Sequence, residues 1–158
     1  MIEFEIVPMT TEDEMDEKEY VHYKSWQETY STLMPYEFLQ NITLDRCIKM
    51  AYKWPQNTLL LKIDNKTVGF SCFGENKDCE DDGEIIALYL LEKWQGKKLG
   101  YALMKATCDK LCEKHKLVLW VLKGNDKAIN FYKRYGFEFT GKEKSAPFGI
   151  ELQMAIKK

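Results

Sequence analysis

Gly96 and Gly100 frame a short loop, Gln95-Gly96-Lys97-Lys98-Leu99-Gly100, that follows an apolar run and opens a helix-patterned stretch. A turn of that kind aims peptide N–H groups outward, and together with the helix dipole they hold phosphate oxygens. The same two glycines would equally serve a tight turn and close packing, so the loop alone leaves both uses open. Lys93, Lys97 and Lys98 bring ammonium groups to it, suited either to a phosphate or to solvent. A Walker loop needs Gly-Lys-Ser/Thr, whereas Gly96-Lys97 continues into Lys98. A dinucleotide fingerprint needs a third glycine and an acidic residue after the next strand. Neither signature fits.

Proton chemistry has fewer candidates. Glu84 opens the run Glu84-Ile85-Ile86-Ala87-Leu88-Tyr89-Leu90, and strand period two predicts Glu84, Ile86, Leu88 and Leu90 on one face. A carboxylate there is either a proton acceptor or an exposed strand end following Asp81-Asp82-Gly83. His115 reads as a surface residue at a helix end, and His22, beside an aromatic stripe, is a weaker base. Five cysteines, Cys47, Cys72, Cys79, Cys108 and Cys112, are irregularly spaced with no Cys-x-x-Cys pair. That pattern speaks against a disulfide framework and against structural zinc, and free thiols fit a reducing compartment.

The elements that must position these groups are legible as periodicities. Ile2, Phe4 and Ile6 alternate with Glu3 and Glu5, predicting a first strand. Thr10 or Thr11 before the acidic turn Glu12–Glu14 predicts a helix start, with Tyr23, Trp26 and Tyr30 as one aromatic stripe. Pro35 starts a short helix carrying Phe38 and Leu39, and Thr43 caps another with Leu44, Ile48 and Ala51, stopped by Trp54-Pro55. Thr58–Ile63 and Thr67–Phe73 flank Asp64-Asn65-Lys66 as a hairpin. An acidic connection, Glu75–Asp82, precedes the Glu84–Leu90 strand, whose apolar character predicts burial on both faces. After the glycine loop come a helix with Leu99, Ala102, Leu103, Ala106 and Leu111 inward, then a strand over Leu117–Leu122. Asn125 or Asp126 caps a helix ended by Gly136, and Phe137–Thr140 and Ile150–Ile156 close the sheet. Strand, loop, helix, strand forms a βαβ unit, so two central strands are parallel within a mixed sheet.

Composition bounds the rest. The chain has 158 residues, 45% hydrophobic and 30% charged, enough for one domain with a substantial core. Lys and Arg total 23 against 25 Asp and Glu, and only Arg46 and Arg134 are arginines, which disfavours nucleic acid as a partner. No apolar run is long enough for a membrane helix, and Glu3 and Glu5 interrupt any signal-like stretch, so the expected location is cytoplasmic.

Two motifs carry a family resemblance. Leu88-Tyr89-Leu90 followed by Gln95-Gly96-Lys97-Lys98-Leu99-Gly100 resembles the acetyl-CoA loop of the Gcn5-related N-acetyltransferases (GNAT), Gln/Arg-x-x-Gly-x-Gly/Ala after a strand. Asn125-Asp126-Lys127-Ala128-Ile129-Asn130-Phe131-Tyr132-Lys133-Arg134-Tyr135-Gly136-Phe137 resembles that family's Asn-x-x-Ala-x-x-Phe-Tyr-x-x-x-Gly-Phe signature. The order of elements agrees across almost the whole chain. The fold class so implied is α/β (α+β): one GNAT-like domain over residues 1–158, a mixed central sheet with two splayed parallel strands flanked by helices. One position departs. The family's first loop glycine falls on Lys98, expected to take ordinary φ at the helix start with its side chain turned away.

The resemblance implies an acyltransferase that moves an acetyl group from acetyl-CoA to a primary amine directly, through a tetrahedral intermediate, with CoA as product. It casts Leu88, Tyr89, Leu90, Gln95, Gly96, Lys97, Lys98, Leu99, Gly100, Tyr101, Asn125 and Tyr132 as cofactor-binding, the Leu90 amide lying near the thioester oxygen. Tyr132 becomes the acid for the departing thiolate and Glu84 the base, with Glu84, Trp26 and Tyr30 at the acceptor; otherwise these aromatics are core packing. The acidic tract from Glu75 to Asp82 either steers a cationic acceptor or is a solvated loop. Expected partners are a small-molecule or peptide amine and, as a homodimer, a second copy; no nucleic acid, membrane or metal is expected. The rival readings are a non-catalytic acetyl-CoA sensor and a protein N-terminal acetyltransferase.

Overall fold

The computed structural model describes residues 2–46 and 57–157. Four strands precede the glycine loop: β1 (Glu5–Pro8), β2 (Thr58–Ile63), β3 (Lys66–Asn76) and β4 (Cys79–Leu90). Helices α1 (Glu12–Tyr30) and α2 (Tyr36–Gln40) separate β1 from β2. After a 3-10 turn at Glu92–Trp94 come α3 (Leu99–Lys110), β5 (Lys116–Leu122), α4 (Asp126–Tyr135), β6 (Glu138–Ala146) and β7 (Gly149–Lys157). The sheet order is β1-β2-β3-β4-β5-β7-β6, with β4 and β5 the parallel pair and every other neighbour antiparallel.

Helix α1 starts where its acidic turn predicts. Thr11 is the N-cap, its hydroxyl accepting from the Glu14 amide at 3.1 Å while Glu14 reaches back to the Thr11 amide at 3.1 Å, a reciprocal box. Glu14 also meets Lys62 Nζ at 2.7 Å, and Glu17 accepts from the Thr67 amide at 2.9 Å, so two carboxylates pin the helix start to β2 and β3. Val21 packs on Leu60 and Phe70 on one face of the sheet. On the other face Leu99, Leu103, Met104 and Cys108 of α3, with Ile129 of α4, close over Leu59, Leu61, Ile85, Leu90, Leu117 and Leu119. Burying a leucine of this kind contributes roughly 1.5–3 kcal/mol, so the two helical layers clamp the sheet far more strongly than any cap.

Several boundaries differ from expectation for reasons the pairing supplies. The first strand runs Glu5–Pro8 instead of Ile2–Ile6, because its partners on β2 are Lys62 back to Leu59. Pro8 is tolerated there since β1 is an edge. Glu75–Asp82 is no loop: β3 and β4 continue through it to a two-residue turn at Lys77–Asp78, closed by Asn76 opposite Cys79. Lys114 ties this hairpin down, donating to the Glu80 carbonyl at 2.6 Å and lying 3.5 Å from Glu75. The strand Glu84–Leu90 is not buried on both faces either, for Ile86 is 60% exposed. The helix expected from Thr43 lies mostly outside the described residues, as do Cys47, Ala51 and the Trp54-Pro55 stop; its start is present, with the Thr43 hydroxyl accepting from the Arg46 amide at 3.2 Å. The described cysteines Cys72, Cys79, Cys108 and Cys112 are free thiols.

Candidate active site

Parallel pairing between β4 and β5 stops early. It joins Gly83, Glu84 and Ile85 to Leu117, Val118 and Leu119, while β4 runs on to Leu90 and β5 to Leu122. Beyond Ile85 the edge of β4 that faces β5 has no strand partner among the described residues. The cause is a bulge: Cys72 opposes Ala87 and Phe73 opposes Ile85, so Ile86 is an extra residue. An inserted residue bends the strand and increases its twist, which turns β4 away from β5.

The same insertion inverts the face pattern. Ile85 packs with Met104 and Cys108, and Leu88 and Leu90 with the α3 layer, whereas Ala87 and Tyr89 pack beside Val21 of α1. Glu84 therefore leaves the face of Leu88 and Leu90, where simple alternation places it, and joins the α1 face with Ala87 and Tyr89.

Between the parted strands opens a cavity of about 810 Å³. Of the residues singled out by sequence it is lined by Tyr30, Leu88, Tyr89, Leu90, Gln95, Gly96, Lys98, Gly100, Tyr101, Asn125 and Tyr132. Trp26, Glu84, Lys97 and Leu99 are outside its lining. Leu99 is buried at 2% exposure in the α3 core, so only its backbone faces the loop's function. Trp26 stacks edge-on against Tyr30 at 4.9 Å and sits behind it. Glu84 stands one residue beyond Ile85, where the lining of β4 begins.

At one end of the cavity lies the loop. Gly96 has φ +76° and Lys98 has φ +65°, with Lys97 between them on the ordinary side. Lys98 is thus left-handed, contrary to the expectation of ordinary φ, because it is the N-cap through which the chain must reverse into α3. Alternating φ signs curl successive N–H groups to one side, an anion-binding concavity. Among the described residues no carbonyl or side chain accepts from the amides of Gly96 through Tyr101; the first helical bond is Ala102 to the Lys98 carbonyl at 3.2 Å. Gln95 does not join this cradle with its side chain, which donates to the Leu90 carbonyl at 2.8 Å and so braces loop against strand. Gly100 has a packing reason: a Cβ there would meet Phe131 Cε1 at 3.3 Å. Tyr101 and Tyr135, ring centroids 5.2 Å apart, form an aromatic rim beside Lys98 and Arg134.

Three further phenols line the same cavity. The Tyr30 and Tyr89 hydroxyls lie 3.5 Å apart, and burial pushes both above the ordinary tyrosine value. Burial raises the Tyr132 phenol strongly too, with Tyr30 adding to it, so Tyr132 stays protonated. Asn125 caps α4, its Oδ1 accepting from the Ala128 amide at 3.4 Å, which leaves Nδ2 as its donor toward the cavity. Glu84 is half-buried, and desolvation lifts its carboxyl above the usual range against the opposing pull of Lys144 and Lys77. His22 lies under Tyr89, ring centroids 5.6 Å apart, with Nδ1 3.1 Å from Glu19, and so belongs to the packing of α1.

Sequence reasoning passed over Glu28, Trp120, Lys127 and Arg134, all of which line the cavity. Glu28 accepts from the Glu92 amide at 3.1 Å and links the end of α1 to the loop. Lys127 and Arg134 were within reach, since both fall inside the second motif; Glu28 and Trp120 carry no local signal.

Splayed parallel strands, a loop of free amides and a buried phenol fit a ligand that pairs with a strand edge and carries an anionic group. Comparison with known proteins gives this site its family. Residues 12–137 match the Acetyltransferase (GNAT) family, and the chain belongs to it. It is 28% identical over 142 residues to the uncharacterized N-acetyltransferase YuaI of Bacillus subtilis, covering 84% of this chain and 80% of that one. It is 30% identical over 89 residues to the spermine/spermidine N(1)-acetyltransferase of Bacillus subtilis, covering 51% of this chain and 59% of that one. A crystal structure of PaiA N-acetyltransferase from Thermoplasma acidophilum in complex with coenzyme A superposes with TM-score 0.79 at 19% identity, covering 99% of this chain and 100% of that one. The protein is accordingly an acyltransferase that uses acetyl-CoA, and the free loop amides, the unpaired β4 edge and the cavity volume fit such a ligand. No helix among the described residues is long and apolar enough to cross a membrane.

Proposed function

We propose that the protein transfers an acetyl group directly from acetyl-CoA to a primary amine of a small di- or polyamine, in a reducing, cytoplasmic setting. The carrying observation is that the loop residues with free amides and Tyr132 line one cavity between the parted strands, with Glu84 turned by the bulge onto the α1 face. The relative named for spermine and spermidine supports the choice of acceptor.

Bound acetyl-CoA supplies an activated thioester. The amides from Gly96 to Tyr101 hold the pyrophosphate, and the open edge of β4 around Leu88–Leu90 pairs with the carrier arm, presenting the Leu90 N–H where an oxyanion needs a fixed donor. A free alkylamine of pKa about 10 is mostly protonated at neutral pH, so the site must remove a proton before attack. Glu84 takes that proton, directly or through water, and its raised proton affinity makes it a better acceptor than a solvated carboxylate. Tyr132 donates to the departing sulfur. Because burial has lifted its phenol far above a thiol of pKa about 8.5, full proton loss is uphill, and Tyr132 acts chiefly as a hydrogen-bond donor to the thiolate.

Release of free CoA thiol on mixing acetyl-CoA with 1,4-diaminobutane, spermidine, amino acids and short peptides tests the reading. Turnover is expected with the polyamines. Silence across the panel, with CoA still bound, would replace the enzyme by a sensor, and turnover with peptides alone would move the acceptor to protein N-termini.

A further inference from the structure

Lys144 on β6 is an exposed residue whose ammonium nonetheless has a ring partner. Its side chain folds back across β7 and sets its ammonium 4.3 Å from the centroid of the Trp120 ring on β5. Trp120 lines the cavity. Its neighbours on β5, Leu119 and Val121, point into the α3–α4 core, so Trp120 itself lies on the α1 face, with Glu84. Two carboxylates stand in register with the residues on either side of Trp120 on this face, Glu84 with Val118 and Glu151 with Leu122. Glu151 is also the cross-strand partner of Lys144, so the ammonium on the ring and both carboxylates belong to one face of the sheet. A tryptophan face between two carboxylates is what a desolvating alkylammonium seeks. The chain has placed one of its own there.

We propose that the Trp120 face, bracketed by Glu84 and Glu151, is a subsite for the far ammonium of a diamine or polyamine acceptor, held in the free protein by Lys144. The proposal rests on the amine-acceptor reading above and deepens it. The near amine of the acceptor loses its proton and reacts, while the far one keeps its charge and displaces Lys144 from the ring. Lys144 then acts as an internal competitor: any cation that enters must outbid an ammonium already tethered to the site, and a monoamine, having no second cation, gains nothing from doing so.

Calorimetric titration of 1,4-diaminobutane into the full-length protein, with Lys144→Ala, Lys144→Arg, Trp120→Leu and the Lys144→Ala/Trp120→Leu double variant, tests it. Lys144→Ala is expected to tighten binding by roughly two- to fivefold, the worth of a partly exposed cation–ring contact, and Lys144→Arg to leave it unchanged. In the Trp120→Leu background the Lys144→Ala gain should vanish. In turnover, Lys144→Ala should lower KM for 1,4-diaminobutane and leave KM for 1-aminobutane unaltered. Unchanged diamine affinity in Lys144→Ala, or an equal gain with Trp120 replaced, overturns the subsite, the second by showing a mere change in net charge. Trp120→Phe serves where the leucine variant folds poorly, and should retain only part of the gain. Binding is read without chemistry, so a protein that acetylates no amine would refute the acceptor assignment while the titration still decides the subsite.

Discussion

Lys98 holds a conformation that its side chain does not favour, and the consequence is measurable. At φ +65° it is left-handed at the N-cap of α3, with no side-chain cap bond to compensate. For an L-residue that conformation costs about 1–2 kcal/mol, and glycine escapes the cost but loses about 0.5–1 kcal/mol in backbone entropy. Lys98→Gly should therefore stabilise the fold by about 0.5–1 kcal/mol, which for a chain of this size raises the melting temperature by roughly 1–4 °C. Lys98→Ala removes the same ammonium but keeps the conformational demand, so it should not share the gain. Calorimetric unfolding of the three proteins gives the comparison, and CoA titration of the same samples separates charge from strain. With the proposed grip made by backbone N–H groups, Lys98→Gly should bind CoA at least as tightly as the parent. A lower melting temperature in Lys98→Gly, or equal gains in the glycine and alanine variants, would refute the strain argument. An equal loss of CoA affinity in both variants would instead assign the ammonium to a phosphate.

In the proposed mechanism Tyr132→Phe removes one hydrogen bond to a developing thiolate, worth about 1.5–3 kcal/mol, so kcat should fall roughly 10- to 100-fold with CoA affinity retained; an unchanged kcat removes Tyr132 from the chemistry. Glu84→Gln should lower turnover about 10²–10⁴-fold and abolish the acidic limb of the rate profile, which in the parent lies above the ordinary carboxylate range because burial raises this group. A parent-like limb in Glu84→Gln would shift the base to another carboxylate, with Glu28 the first to test. Glu14 is held at about 2, first by Lys62 and then by the Thr10 amide, below the usual 4.5. Its depressed value means that its stabilising contribution is complete above about 4.5 and disappears as the pH falls toward 2. Acid unfolding of Glu14→Gln should lack that component, and an unchanged pH dependence of stability would show the Lys62 contact to be without thermodynamic weight.

What the sequence disclosed were the features written in local chemistry. The helix start after Thr10 or Thr11, the hairpin turn at Asp64-Asn65-Lys66, and Gly136 at the end of α4 each stand where residue type alone dictates a backbone. The two motifs likewise located the loop and the phenol, because they are contiguous. Features set by tertiary pairing were hidden. Glu75–Asp82 reads as a polar connection, yet becomes a hairpin because β3 and β4 extend one another, with Asp78, Glu80 and Asp81 exposed around its tip. Trp120 and Glu28 enter the site only because β5 and the end of α1 border the same gap. Lys98 looked compatible with a normal helix start, since nothing in a sequence of lysines reports the angle at which a chain arrives.

The bulge at Ile86 shows how far one residue can carry such a failure. Alternation predicts the face of every side chain in a strand only while the register is unbroken, and an insertion inverts all that precede it. Ile85 and Ile86 are both isoleucine, so the apolar pattern gives no sign of which one is supernumerary. Yet this insertion ends the β4–β5 ladder at Ile85, which opens the groove, and it moves Glu84 from the α3 face to the α1 face, where Trp26, Tyr30 and Trp120 stand. Without it, β4 and β5 would have no reason to part at this point, and Glu84 would point into the helical layer that packs Ile85 and Leu117. An open groove between the parallel strands and a carboxylate on the α1 face are thus two consequences of a single unpaired residue, and neither can be altered by changing the register without losing the other.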